Sequence, residues 1–88
     1  MSITVDIIEK ALIEWDPIGL FPFAPKNEYR DESVSIYETI GQSSDVVKVA
    51  YAVHSVFLNN FGKNTFSLAI DECMGVAENI VKNATYYP

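Results

Sequence analysis

The sequence predicts an all-α fold: a single compact bundle of about four helices, with a Pro/Phe-rich loop between the first and the second. Three observations carry this. Apolar residues recur at steps of three and four through four separate stretches. No stretch alternates strictly enough, for long enough, to read as a half-buried strand, although Val46 to Val53 alone satisfies part of a strand pattern. Proline and glycine fall between the periodic stretches and not inside them, Gly75 excepted. With 88 residues, 49% of them apolar, the chain suits one domain spanning 1–88 and can bury a modest core without staples.

The first helix is expected over Ile3 to Trp15. Val5, Ile8, Leu12 and Trp15 form one stripe, widened by Ile7 and Ala11, and Asp6 and Glu9 lie early, where the helix dipole favours anions. Lys10 and Glu14 stand four apart and are expected to pair on the outer side. Trp15-Asp16-Pro17-Ile18-Gly19 then ends the helix and plants the only tryptophan in the core. Proline drives the residue before it out of the helical region, and Gly19 is free to take a positive φ.

The segment Pro17 to Asn27 holds Pro17, Pro22 and Pro25 with Ile18, Leu20, Phe21 and Phe23, so it reads as a long connection. Either its aromatic residues pack over one end of the bundle or a phenylalanine stays exposed as a binding anchor. The second helix is expected over Glu28 to Ile40, capped by Asn27, with Glu28, Asp31 and Glu32 in its first turns. Val34, Tyr37 and Ile40 or Gly41 form its inner stripe, with Ile36 beside them, and Gly41 ends it.

Ser43 or Ser44 is expected to cap a third helix, with Asp45 in its first turn, running to Phe61 and stopped by Asn59, Asn60 and Gly62. Val46, Ala50, Val53, Phe57 and Phe61 hold one face; Val47, Val49, Tyr51, His54 and Leu58 broaden it, which predicts a central helix. The fourth helix is expected from a cap at Asn64 or Thr65 to about Asn83, on the stripe Phe66, Ile70, Cys73, Ala77, Ile80, Ala84. Gly75, one position from that stripe, predicts close approach of another helix. Tyr86, Tyr87 and Pro88 form a tail that either docks or frays.

Chemistry is sparse. His54 lies in the most apolar helix and reads as a satisfied boundary histidine; Cys73 lies on a buried stripe without a cationic neighbour and reads as an inert thiol. Asp31-Glu32 and Asp71-Glu72 are sequence neighbours, and adjacent helical positions diverge too far to chelate. Glycine-rich phosphate loops and metal-ligand spacings are absent from the sequence. The expectation is therefore a protein that is not an enzyme, with no cofactor and no metal site. A start of Met1-Ser2-Ile3-Thr4, without a basic run or a long apolar stretch, predicts no signal peptide or membrane span and a cytoplasmic setting.

Six basic and twelve acidic residues give a formal charge of −6, which disfavours nucleic acid and anionic membranes and favours a cationic partner. Asp16, Glu28, Asp31 and Glu32 flank the Pro/Phe loop and outnumber Lys26 and Arg30. An acidic rim around Phe21, Phe23 and Tyr29 suits a protein-binding site, with aromatic anchors within and charges steering from outside. The same acids equally read as dipole compensation on a solvated face.

Trp15-Asp16-Pro17-Ile18-Gly19, followed by Glu28-Tyr29 and an acid, resembles the signature of the YugE-like family of small bacterial proteins, and Val56-Phe57-Leu58-Asn59-Asn60-Phe61-Gly62 resembles that family's third-helix ending. Here Arg30 stands between Tyr29 and Asp31. The resemblance covers most of the chain and implies a small all-α fold in a bacterial cytoplasm, with no catalytic residues to carry over. The expected function is that of a non-enzymatic binding module, an immunity- or antitoxin-like protein that neutralises a cationic, nuclease-type toxin through Asp16, Phe21, Phe23, Glu28, Tyr29, Asp31 and Glu32. The alternative is a small regulatory domain holding a small-molecule ligand between the Pro/Phe loop and the bundle. Either is compatible with a monomer or with a homodimer through apolar surface left on the third or fourth helix.

Overall fold

A computed structural model describes residues 3–19, 28–41 and 43–86. It contains four helices, α1 (Val5–Trp15), α2 (Arg30–Ile40), α3 (Val46–Phe61) and α4 (Ile70–Tyr86), and no strand among the described residues. Each helix packs on the next and α4 returns to α1, so the four close a ring around one core. The radius of gyration, 11.9 Å, matches the roughly 12 Å of a folded domain of this length. No helix among the described residues is long and apolar enough to cross a membrane.

Local chemistry sets the ends. Thr4 caps α1, its hydroxyl accepting from the Ile7 N–H at 3.2 Å, and Ile3 before it is buried. The helix therefore starts two residues later than its apolar pattern suggests. At α3 the cap is Asp45, whose carboxylate accepts from Val47 N–H, while Ser43 Oγ accepts from Asp45 N–H. The expected order of serine cap and acidic first turn is thus shifted by one residue or more. Helix α2 starts at Arg30, with Glu28 and Tyr29 in a turn; the expected cap, Asn27, lies outside the described residues.

Two further expectations are corrected. The inner stripe of α2 is Tyr29, Ser33, Ile36 and Ile40, whereas Val34 and Tyr37 are 37% and 42% exposed. Ser33 tolerates full burial because its hydroxyl donates to the Tyr29 carbonyl at 2.8 Å, so a face containing it can turn inward in place of the purely apolar stripe. The same holds on α3, where Val47 and Tyr51 face solvent and Val49, Ala50, Val53 and Phe57 are buried.

Helix α4 begins at Ile70, not near Asn64 or Thr65. Gly62 closes α3 at φ 79°, and Phe66 N–H then bonds its carbonyl in a turn. Residues 66–69 are non-helical, and His54 Nε2 donates to the Leu68 carbonyl at 3.0 Å. The helix starts where Glu72 reaches back to the Ala69 N–H at 3.1 Å, one half of a capping box. Phe66 is buried in the connection and not on the helix.

An aromatic cluster holds one end of the ring together. Phe57, fully buried, lies at its centre, with Phe61 and Phe66 stacked on it and Trp15 and Tyr29 meeting it edge-on. Trp15 is half-buried at the end of α1, so the hub is Phe57 and the indole is one of its walls.

Gly75 admits no close helix approach: a β-carbon there would meet nothing within 4 Å. Gly75→Ala is therefore expected to stabilise the fold by about 0.5–1 kcal/mol, from lower backbone entropy in the unfolded chain. Thermal and urea unfolding check this, and a loss of stability would mean that the helix interior needs the glycine.

Candidate functional site

The turn after α1 positions the residues that flank the loop. Asp16 takes the left-handed conformation at φ 44°, one of the few side chains that accept it, and its N–H bonds the Leu12 carbonyl at 2.7 Å. Gly19, at φ 72°, returns its N–H to the Asp16 carbonyl at 3.1 Å and completes a four-residue turn with Pro17 in second place.

Tyr29 fastens this turn to α2. Its hydroxyl donates to Asp16 Oδ1 at 2.7 Å and accepts from the Ile18 N–H at 3.4 Å. The ring is fully buried against Phe57. Burial first, then the hydrogen bond to Asp16 and the negative charges of Asp16 and Glu32, push the phenol well above its ordinary range. Glu32 is also drawn inward, at 7% exposure, where Oε2 accepts from Asn60 Nδ2 at 2.9 Å across to α3.

Three of the sequence-predicted residues, Asp16, Tyr29 and Glu32, are thus gathered into an internal polar cluster that joins α1, α2 and α3. Tyr29 and Glu32 do not form part of an open rim, because each is buried. Glu28 and Asp31 are exposed at the start of α2. Phe21 and Phe23, and with them the pocket expected beneath the loop, lie outside the described residues.

Arg30 stands among these acids yet turns to α1, its guanidinium bonding Asp6 at 2.8 Å and Glu9 at 3.1 Å. Those two hydrogen bonds raise its pKa further. The expected ion pair within α1, Lys10 with Glu14, does not form, and lysine placed before glutamate is the weaker order for such a pair.

A second feature escaped the sequence reading. A groove of about 640 Å³ runs between α2 and α3, walled by the polar side chains of Ser35, Thr39, Ser55, Asn59, Asn60 and Lys63 together with Val56, Leu58 and Gly62. The available signal was a polar stripe: Ser35 and Thr39 stand four apart on α2, and Ser55 and Asn59 four apart on an otherwise apolar α3.

Elsewhere the reactive side chains are quiet. Cys73 is buried, and desolvation, with the Glu72 charge, pushes its thiol up to about 11, which keeps it protonated and unreactive near neutrality. His54 is half-buried, bonded to Leu68 and edge-on to Phe66. No group of three or more His, Cys, Asp or Glu side chains able to hold a metal ion occurs among the described residues. Comparison with protein-family models, with curated proteins and with solved structures returns no match to this chain.

Proposed function

We propose that the chain is a non-enzymatic protein-binding module that captures a basic partner on the face at the start of α2, most concretely an immunity-like protein that blocks a cationic, nuclease-type toxin. The observation that carries this reading is local. Glu28 and Asp31 stand exposed together, while the adjacent cation, Arg30, is engaged by Asp6 and Glu9 and leaves them unneutralised. A net charge of −6 adds long-range attraction for a basic surface. Charge of this kind acts chiefly on the rate of encounter. A small bacterial cytoplasmic protein akin to the YugE-like family fits the same reading, on the strength of Trp15-Asp16-Pro17-Ile18-Gly19.

The test begins with the immobilised chain and an extract of the native host, from which retained basic proteins are identified and purified. Association with the partner is then followed by stopped flow at low and physiological salt. Glu28→Lys with Asp31→Lys is expected to slow association about tenfold at low salt, with the gap closing as salt rises. Both positions are exposed, so the doubly reversed chain is expected to fold. Equal association rates for the two chains would remove this face from the site. Failure of the purified partner to lose its toxicity in the presence of the chain would end the immunity reading.

A further inference from the structure

We propose that the outer face of α3 is the interface of a symmetric dimer, in which a second copy of this chain docks its own α3 antiparallel to the first. Val47, Tyr51, His54, Leu58 and Phe61 follow one another at alternating steps of four and three, which places them in one row along the helix. Near the helix start that row is open: Val47 is 49% exposed and Tyr51 57%. Toward the helix end it runs into a recess of about 320 Å³, lined by His54, Leu58, Lys63, Phe66, Ser67 and Leu68. Tyr51 stands three residues before His54 and seven before Leu58, so a projecting aromatic and a largely apolar recess share one row within two turns. A two-fold axis between them brings each onto the other in both copies at once, as a self-complementary contact requires.

Charge selects the occupant. The chain carries −6 overall, so two copies repel wherever their acids meet. Each of α1, α2 and α4 holds three acidic residues, whereas α3 holds none and a single lysine, Lys48. It is the helix on which two equal chains approach with least repulsion, and a charge-poor, tyrosine-bearing surface has the composition of an interface core. The ends of the row are complementary as well. Antiparallel pairing that seats Tyr51 against the partner's Leu58 sets Asp45, one residue before the helix, beside the partner's Lys63, two residues after it, and the reverse pair forms at the opposite end. Asp45 and Lys63 are both exposed, and neither makes an ion pair among the described residues. Rim pairs of this kind fix register more than affinity. The face shares no residue with Glu28 and Asp31, so it stands or falls independently of the partner-binding proposal.

The test is analytical ultracentrifugation of the full chain at low salt, from micromolar to millimolar concentration. The chain is expected to pass from monomer to dimer across roughly 10–100 μM, as an interface of about one helix face allows. Tyr51→Ala is expected to weaken association about tenfold or more, and Tyr37→Ala, at an exposed position on α2, to leave it unchanged. Asp45→Lys and Lys63→Asp each set like charges against one another at both ends of the dimer and are expected to weaken self-association. An equimolar mixture of those two variants is expected to recover it, because every end then joins opposite charges. Circular dichroism checks that each variant is folded. Should Asp45→Lys not fold, since Asp45 caps α3, the contrast between Tyr51→Ala and Tyr37→Ala decides the matter. A chain that stays monomeric to about 1 mM would overturn the proposal. So would a dimer that Tyr51→Ala leaves intact, or folded charge variants whose mixture associates no better than either alone.

Discussion

Phe57→Ala is expected to remove about 3–5 kcal/mol, a large share of the stability of a chain whose total lies in the range of roughly 4–13 kcal/mol. The side chain is fully buried. Its ring lies 5.3 Å from Phe66 and 5.5 Å from Phe61 in stacked pairs, and 5.7 Å from Tyr29 and 5.8 Å from Trp15 in edge-to-face pairs. These neighbours come from the end of α1, the turn before α2, α3 itself and the connection to α4, so the cavity left by truncation is bordered by four separate parts of the chain. No single neighbour can collapse into it without leaving another contact. Urea unfolding checks the prediction: the midpoint falls sharply with the slope little changed. Trp15→Ala is expected to cost less, because the indole is half-buried and, among the described aromatic residues, meets Phe57 and Phe66 edge-on. If the order of the two variants were reversed, the hub would be the tryptophan.

That order also marks the limit of what the sequence reveals. Four helices were legible because Ile8, Ala11 and Leu12, or Cys73, Ala77, Ile80 and Ala84, repeat at helical spacing and are all buried as that spacing requires. Where a polar residue goes inside, periodicity fails. Ser33 reads as a surface residue, yet its hydroxyl is satisfied locally by the Tyr29 carbonyl and it goes inside, while Val34 and Tyr37 are exposed. Phe66 falls in step with Ile70 and Cys73, yet a non-helical connection delivers its ring to the core equally well, so the start of α4 was not readable from the stripe.

The candidate site was legible in the same uneven way. Asp16 and Tyr29 were recognisable as residues flanking one loop, because the turn chemistry of Asp-Pro-Ile-Gly is local. That they bond each other goes with the left-handed φ of Asp16, whereas a residue before proline is ordinarily driven to extended backbone, so the sequence does not announce it. The partner of Glu32 is Asn60, on another helix, and a pairing at such separation leaves no trace in local periodicity. The burial of Glu32 is for the same reason not readable from its place in the helix.

Tyr29→Phe is expected to cost about 2–3 kcal/mol at neutral pH, although it removes a single oxygen. The hydroxyl is the donor to Asp16 Oδ1 and the acceptor for Ile18 N–H, so its loss takes a charge-assisted hydrogen bond from the turn that ends α1 and a second bond from the backbone beyond it. The ring stays, and with it the contact to Phe57, so the change reads the polar clasp apart from the packing. The pH dependence supplies an independent check. The fold raises the phenol pKa above its ordinary value of 10.0, because burial and the neighbouring negative charges oppose ionisation. A raised folded pKa means that the protonated tyrosine contributes stability in full below the unfolded value and loses that contribution as pH rises through the folded one. The native chain should therefore lose stability above about pH 10, while Tyr29→Phe lacks this loss and the two curves converge. Cys73, pushed up to about 11 in both chains, affects each alike and cancels from the comparison. A gap between native and Tyr29→Phe that stays constant from neutral to strongly alkaline pH would mean that the hydroxyl acts through packing and not through its bond to Asp16.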